Sequence, residues 1–329
     1  MAFNSLIARA VSEATSYLRT QQDLNVIELG NQSFRVNQNS LNDIASSHKI
    51  DPNELLGSQP SSPTSMGFYK ALGYQDYLAI DVNSERHAVP MDLNTDIQKE
   101  YDFHHTYSLV TNNGTGEHVF DQSAVFRNMH NLTKVGGIMI NVLPFISWLN
   151  HGFYTYHPVL FRDLAYANNY AWKFFWIGNN EGKYFACDPN DAAIWREAPW
   201  NLTCRTALLA DPETNPKLET LLQKLRNKLP SLFRNRQHTS YSGDSDQLAR
   251  YLFERAKKGP SGDLETYLTN ALTLEPFNLS IVTAYQRTTS EDFVTPFTGK
   301  YKSVITSSGI LKSYENQPDT YQIHEATGL

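Results

Sequence analysis

The sequence predicts an α/β protein built on a doubly wound, mostly parallel sheet, and three features carry that expectation. Short apolar runs recur along the chain, most of them ending in an acid or a glycine. Segments with helical apolar spacing lie between them. The loop after the fourth run, Thr111 to His118, gathers Asn112, Asn113, Gly114, Gly116, Glu117 and His118 where such sheets bind ligands, beyond the carboxyl ends of their strands.

The elements follow in order. The opening MAFNSLIARAVSEATSYLRTQ has polar residues scattered among its apolar ones and reads as an amphipathic helix rather than a signal peptide. Leu24 to Gly30 is a first buried strand. Ser40 to His48 and Asp51 to Leu56 are short helices, the second with Asp51 as N-cap, Pro52 at the first helical position and Glu54 closing a capping box. A breaker-rich loop, Ser58 to Ser65, precedes a helix from Met66 to Leu72 that Gly73 ends. Tyr77 to Asp81 is the second strand, His87 to Met91 a weak third, and Ser108 to Val110 the fourth.

A helix from about Asp121 to Lys134 shows Val125, Met129 and Leu132 on one face and is expected to end at Gly136-Gly137. Ile138 to Leu143 is the fifth strand, Pro158 to Asn169 a helix, and Trp172 to Ile177 the sixth strand. Asn201 to Leu209 and Leu279 to Tyr285 are also strand-like, with helical segments at Leu218 to Leu229, Asp246 to Lys257 and Asp263 to Leu272 between them. The chain therefore divides into a core over residues 1–200, a region 201–305 holding the last strands and a helical insertion at about 212–275, and a tail at 306–329.

Composition narrows the function. A chain of 329 residues with 40% hydrophobic and 19% charged residues buries a sizeable core. A formal net charge of -6 argues against a general nucleic-acid binder. Lys217 to Arg236 is locally basic, either a solvated helix face or a site for an anionic partner. Cys187 and Cys204 are the only cysteines, which fits a reducing compartment, and no stretch approaches the roughly 20 apolar residues of a membrane span, so a cytoplasmic protein is expected.

Two strands ending in acids, Glu28 and Asp81, suit the gripping of a nucleoside, because a carboxylate at a strand tip accepts both ribose hydroxyls. A single glycine, Gly30, follows the first strand, and the absent G-x-G-x-x-G counts against NAD. Neither G-x-S-x-G nor G-x-x-x-x-G-K-[ST] occurs, so serine-hydrolase and P-loop chemistry lack support. His104, His105, His118, His130 and His151 show no paired spacing typical of zinc sites, and no metal is expected.

Glu28-Leu-Gly30, Ala79-Ile-Asp81, Asp92-Leu-Asn94, the Thr111 to His118 loop and Gly136-Gly137-Ile138 fall in the order found in class I S-adenosylmethionine-dependent methyltransferases, which the chain resembles. Glu117-His118-Val119-Phe120 followed by His151-Gly152-Phe153-Tyr154 resembles a bacterial subgroup with those segments, and Phe293 to Tyr301 extends the likeness weakly. The resemblance implies a Rossmann-like, seven-stranded sheet and S-adenosylmethionine as cofactor. Glu28 and Gly30 would border its methionine part, Asp81 would bind the ribose, Asp92 and Leu93 would flank the adenine, and Asn112 and Gly114 would lie beneath the sulfonium. Residues Asn31 to Val36 depart from the family's E-x-G-x-G-x-G.

An oxygen or nitrogen acceptor also loses a proton, and a histidine of near-neutral pKa suits that task. His118 and His151 both follow strands at the carboxyl edge of the sheet and are the candidate bases; in the plainer reading they only hydrogen-bond or cap. Glu117 is placed to cap the following helix, and Tyr154, Tyr156 and His157 to line an acceptor pocket. The expectation is a methyltransferase acting on a small-molecule or sugar-like acceptor. Its rival is a non-catalytic binding or scaffold protein on a degenerate methyltransferase fold.

Overall fold

The structure is a computed structural model and describes residues 2–146, 148, 150–187, 278–298, 306–308 and 311. Chain order begins with β1 (Ala2–Asn4), α1 (Ser5–Leu18), β2 (Asn25–Leu29), β3 (Ser33–Arg35), α2 (Gln38–His48), α3 (Ser65–Ala71) and β4 (Asp76–Asp81). It continues with β5 (Val89–Pro90), α4 (Ile97–Tyr101), β6 (Tyr107–Asn113), α5 (Gln122–Leu132), β7 (Thr133–Ile146), α6 (Pro158–Ala167), β8 (Ala171–Gly178), β9 (Tyr184–Ala186) and β10 (Leu279–Gln286).

One sheet runs in the order β5-β4-β2-β6-β7-β10-β8-β9. The first five strands pair in parallel, and β10 inserts antiparallel between β7 and β8. This is the Rossmann-like α/β architecture expected, with β9 added as a short hairpin edge. β2 leads outward through β4 to β5 while β6 leads the other way to β7, so the order reverses between β2 and β6. A crevice at the carboxyl ends of those two strands is where such a sheet receives a ligand.

The helices cover both faces. Leu6, Val11 and Leu18 of α1 pack with Leu41 of α2 and Phe68 of α3 against Val26, Leu109 and Ile140 on one side. Val125 and Met129 of α5 and Phe161 of α6 pack against Ile27, Val110 and Leu143 on the other. α1 starts where Asn4 accepts hydrogen bonds from the Leu6 and Ile7 amides, the reason an amphipathic segment becomes a helix at that point.

Four local expectations change. The third strand shrinks to two residues, Val89–Pro90. The capping box does not close: Asp51 N–H donates to Glu54 at 3.4 Å, but the Asp51 side chain accepts from the Asn53 amide and not from Glu54, and the helix is one 3-10 turn, Glu54–Leu56, with Asn53 at its N-cap. The fourth strand runs to Asn113, so Thr111, Asn112 and Asn113 are fully buried sheet residues, not loop. Gly136-Gly137 does not end a helix: α5 stops at Leu132 and β7 begins at Thr133.

Gly137 lies inside that strand because the backbone passes too closely for a side chain. A Cβ there would stand 2.9 Å from the carbonyl oxygens of both Lys134 and Tyr107. Gly137→Ala is therefore expected to destabilise the protein by about 2–3 kcal/mol, readable as a lowered urea midpoint with unchanged slope. The strand expected at 201–209, the helical insertion, the basic stretch Lys217 to Arg236 and most of the tail lie outside the described residues. Among the described residues, no helix is long and apolar enough to cross a membrane.

Candidate functional site

Glu28, near the end of β2, is 1% exposed and fully engaged. Tyr69 donates to its Oε1 at 3.0 Å, and Ser65 and Tyr77 donate to its Oε2 at 3.0 and 2.7 Å. Burial pushes its pKa up to about 7 against the pull of those hydroxyls. The carboxyl thus ties α3 and β4 to β2 rather than facing the crevice.

Gly30 follows with φ +85, and a Cβ there would meet Thr115 Oγ1 at 2.1 Å. Only glycine lets the loop after β2 lie this close to the loop after β6. The missing further glycines have a structural substitute. Ser33 to Arg35 pair with Ala2 to Asn4, so the chain leaves Gly30 along a short strand and reaches a helix only at Gln38. Asn31 then clamps the turn: its Nδ2 donates to Asn83 Oδ1 and to the Glu85 carbonyl, and its Oδ1 accepts from Arg86.

Asp81 stands half-buried at the tip of β4. Its Oδ2 accepts the Asn31 amide at 2.9 Å and its Oδ1 accepts the Asn83 side chain at 3.1 Å. Oδ1 also accepts the Asn83 amide at 3.4 Å, so of a carboxylate's roughly four acceptor positions about one, on Oδ2, remains for a ribose hydroxyl. Asp92 and Leu93 follow β5; Asp92 Oδ1 accepts from Asn94, and Leu93 is buried. On the other wall, Asn112 is 0% exposed, accepting from the Gly116 amide at 2.8 Å and donating to Asn141 at 3.2 Å. It supports the wall from behind. Gly114, with φ +68, turns the chain out of β6.

Near this turn Gln32 Oε1, Thr111 Oγ1 and both Asn113 side-chain atoms, Oδ1 and Nδ2, are buried without a hydrogen-bond partner, while Gln32 Nε2 donates to the Asn113 carbonyl at 3.0 Å. Unpaired buried acceptors are costly, and an ammonium group would satisfy them. With the close approach at Gly30, the acceptors among them fit the ammonium end of an S-adenosylmethionine.

The structure brings the two candidate bases together. Gly116–His118 forms a 3-10 turn after β6, and His151 lies in the loop after β7. The imidazoles sit with centroids 5.0 Å apart, with Glu117 beneath them. Glu117 Oε1 is 3.3 Å from His151 Nε2 and 3.8 Å from His118 Nε2. The Phe153 amide donates to the Glu117 carbonyl at 2.8 Å, and a Cβ on Gly152 would fall 2.9 Å from Glu117 Cγ, so the two loops interlock through backbone. The Trp148 ring packs 4.7 Å from His151.

Glu117 does not cap α5. Asp121 does, accepting from the Ala124 amide, and Glu117 is 0% exposed with neither oxygen hydrogen-bonded. Burial pushes its carboxyl up to about 8 and holds both imidazoles below their usual range. His118 is the more open, with 46% of its side chain exposed against 27% for His151.

The other residues separate. Tyr156 is buried and donates to Gln122 at 2.8 Å, Tyr154 donates to the Phe120 carbonyl, and His157 precedes α6 without capping it. His130 is core, held between Tyr170 and the Glu291 carbonyl, and burial lowers its pKa to about 4. Residue-by-residue reasoning missed Phe120 and Phe153, which stand 71% and 68% exposed with rings 6.0 Å apart. Their sequence signal was adjacency to the two histidine loops.

No protein-family model and no curated protein matches the chain. Among solved structures, the chain is similar to the StiE O-MT domain, with 14% identity, 87% of this chain and 77% of that one covered, and a TM-score of 0.31. It is also similar to a SAM-dependent methyltransferase from Archaeoglobus fulgidus, with 10% identity, 84% and 94% covered, and a TM-score of 0.32. A third is coclaurine N-methyltransferase bound to N-methylheliamine and SAH, with 11% identity, 84% and 72% covered, and a TM-score of 0.33. Similarity this distant carries no argument about substrate or catalysis.

Proposed function

We propose that the chain is an S-adenosylmethionine-dependent methyltransferase that acts on an oxygen or nitrogen of a small-molecule or sugar-like acceptor. The observation that carries this reading is the meeting of His118, His151 and buried Glu117 at the carboxyl edge of the sheet, on the loops after β6 and β7. Loops at a sheet's switch point are where ligand and catalytic groups are expected to meet.

Asp81 takes a ribose hydroxyl, Gln32 and Asn113 the ammonium group, Asp92 and Leu93 the adenine, and Gly114 leaves room beneath the sulfonium. When bound, the cofactor supplies an electrophilic methyl that must be aligned with its acceptor, so positioning supplies much of the rate. His118 Nε2 faces Glu117, which leaves Nδ1 to receive the acceptor's proton. His151, held against Trp148, packs beside it.

Exposed Phe120 and Phe153 flank the pair and offer an apolar wall to a ring-shaped acceptor. Phe153→Ala is expected to raise KM for the acceptor about tenfold with kcat little changed, the mark of lost uniform binding. The reading itself is tested by calorimetric titration with S-adenosylmethionine. One equivalent binding to the parent, and at least about tenfold weaker binding to Asp81→Ala, supports it. A parent protein that does not bind removes it and favours the scaffold alternative.

A further inference from the structure

We propose that Glu117, His118 and His151 form a binding site for one divalent transition-metal cation, with a Glu117 carboxylate oxygen and the two imidazole Nε2 atoms as ligands. One ligand atom from each residue lies within 4.8 Å of the others, close enough for a single ion to bridge all three. The Glu117 oxygen stands 3.3 and 3.8 Å from the two nitrogens.

The second observation is the state of the carboxyl. Glu117 is 0% exposed, and both its oxygens, together with His151 Nε2, lack a hydrogen-bond partner. Tyr156 does not relieve it, because its hydroxyl donates to Gln122 Oε1 instead. A buried carboxyl that faces two imidazole nitrogens without a well-formed hydrogen bond to either is costly as a structural element and ordinary as a metal ligand.

The scaffold around the three is rigid. Backbone contacts of Gly152 and Phe153 lock the His151 loop onto Glu117, and Trp148 braces His151. Two nitrogens and one oxygen suit Zn²⁺, Mn²⁺ or Fe²⁺ better than Mg²⁺ or Ca²⁺, which favour all-oxygen shells. Three protein ligands leave a coordination position open, and the half-exposed His118 marks the solvent side. An acceptor hydroxyl coordinated there would lose its proton to solvent at lower pH, because the Nδ1 of a His118 bound through Nε2 already carries a proton, so the cation takes the place of His118 in activating the hydroxyl. The cation site thus deepens the proposed function by naming hydroxyl-bearing acceptors, although metal binding does not depend on that function.

The test is calorimetric titration of the chelator-stripped full chain with Zn²⁺ and Mn²⁺, with Mg²⁺ as the hard-cation control and no S-adenosylmethionine present. The parent is expected to bind one equivalent of Zn²⁺ or Mn²⁺ in the micromolar range or tighter, and Mg²⁺ far more weakly. His118→Ala, His151→Ala and Glu117→Gln should each weaken binding by at least about tenfold, while His104→Ala, beside exposed Asp102, leaves it unchanged. His118 and His151 are partly exposed, so their variants keep the fold, as circular dichroism would verify, even where Glu117→Gln does not. Absence of stoichiometric binding by the parent, or binding that survives in the double histidine variant, overturns the proposal. Neither result bears on cofactor binding, which is titrated separately.

Discussion

His118→Ala with His151→Ala is expected to lower kcat by about 10²–10⁴ while leaving S-adenosylmethionine affinity within about twofold of the parent. The split follows from geometry. Both imidazoles sit on the loops after β6 and β7 and touch Glu117 and each other, whereas the cofactor contacts proposed above run through Asp81, Gln32 and Asn113. Single-turnover kinetics with a labelled methyl group would separate the two effects. Equal loss of binding and turnover would place the histidines in the cofactor site instead.

The second large effect concerns stability. Glu28→Ala removes the acceptor of three buried hydroxyls, on Ser65, Tyr69 and Tyr77, and opens a cavity among them. A loss of about 3–5 kcal/mol is expected, enough to unfold a marginal domain. Glu28→Gln keeps the volume and an acceptor oxygen, and it isolates the charge.

The sign of the pH effect follows from the carboxyl's pKa of about 7 in the folded chain against 4.5 ordinarily. The folded state holds the proton more tightly than the unfolded one, so the contribution is fully present below pH 4.5 and is lost as pH rises through 7. The loss is about 3–4 kcal/mol for a fully buried group. Urea midpoints of the parent should therefore fall between about pH 5 and about pH 8, and Glu28→Gln should flatten that part of the curve. A parallel decline in the variant would show that another group is responsible.

The wound α/β plan was legible because its strands are short apolar runs with acidic or glycine ends, as at Leu24 to Gly30 and Tyr77 to Asp81. Two local errors share a cause in tertiary contact. Thr111 to Asn113 read as a polar loop, yet they are buried strand paired with β2 and β7, with Asn141 and the Gly116 amide bonded to the Asn112 side chain and Gln32 to the Asn113 carbonyl. Gly136-Gly137 read as a helix stop, yet the glycines serve a close backbone crossing that no local pattern encodes. The lone glycine after β2 departs from the family's E-x-G-x-G-x-G, and the pairing of β3 with the first residues of the chain that follows it cannot be seen in the loop itself.

The candidate site was half legible. His118 and His151 stood out as histidines after strands, and the fold brings them together. Glu117 was misassigned as a cap, since an acid before a helix suits either role and only burial distinguishes them. The three-residue cluster escaped spacing rules because its members come from two loops brought together by the parallel pairing of β6 and β7.

The most direct test of the central claim is a crystal structure of the protein with S-adenosylhomocysteine. The ribose is predicted on the Asp81 carboxylate, the amino group near Gln32 Oε1 and Asn113 Oδ1, and the sulfur directed toward the side of the crevice that holds His118 and His151. A ligand bound elsewhere, or a sulfur directed away from those histidines, would contradict the account.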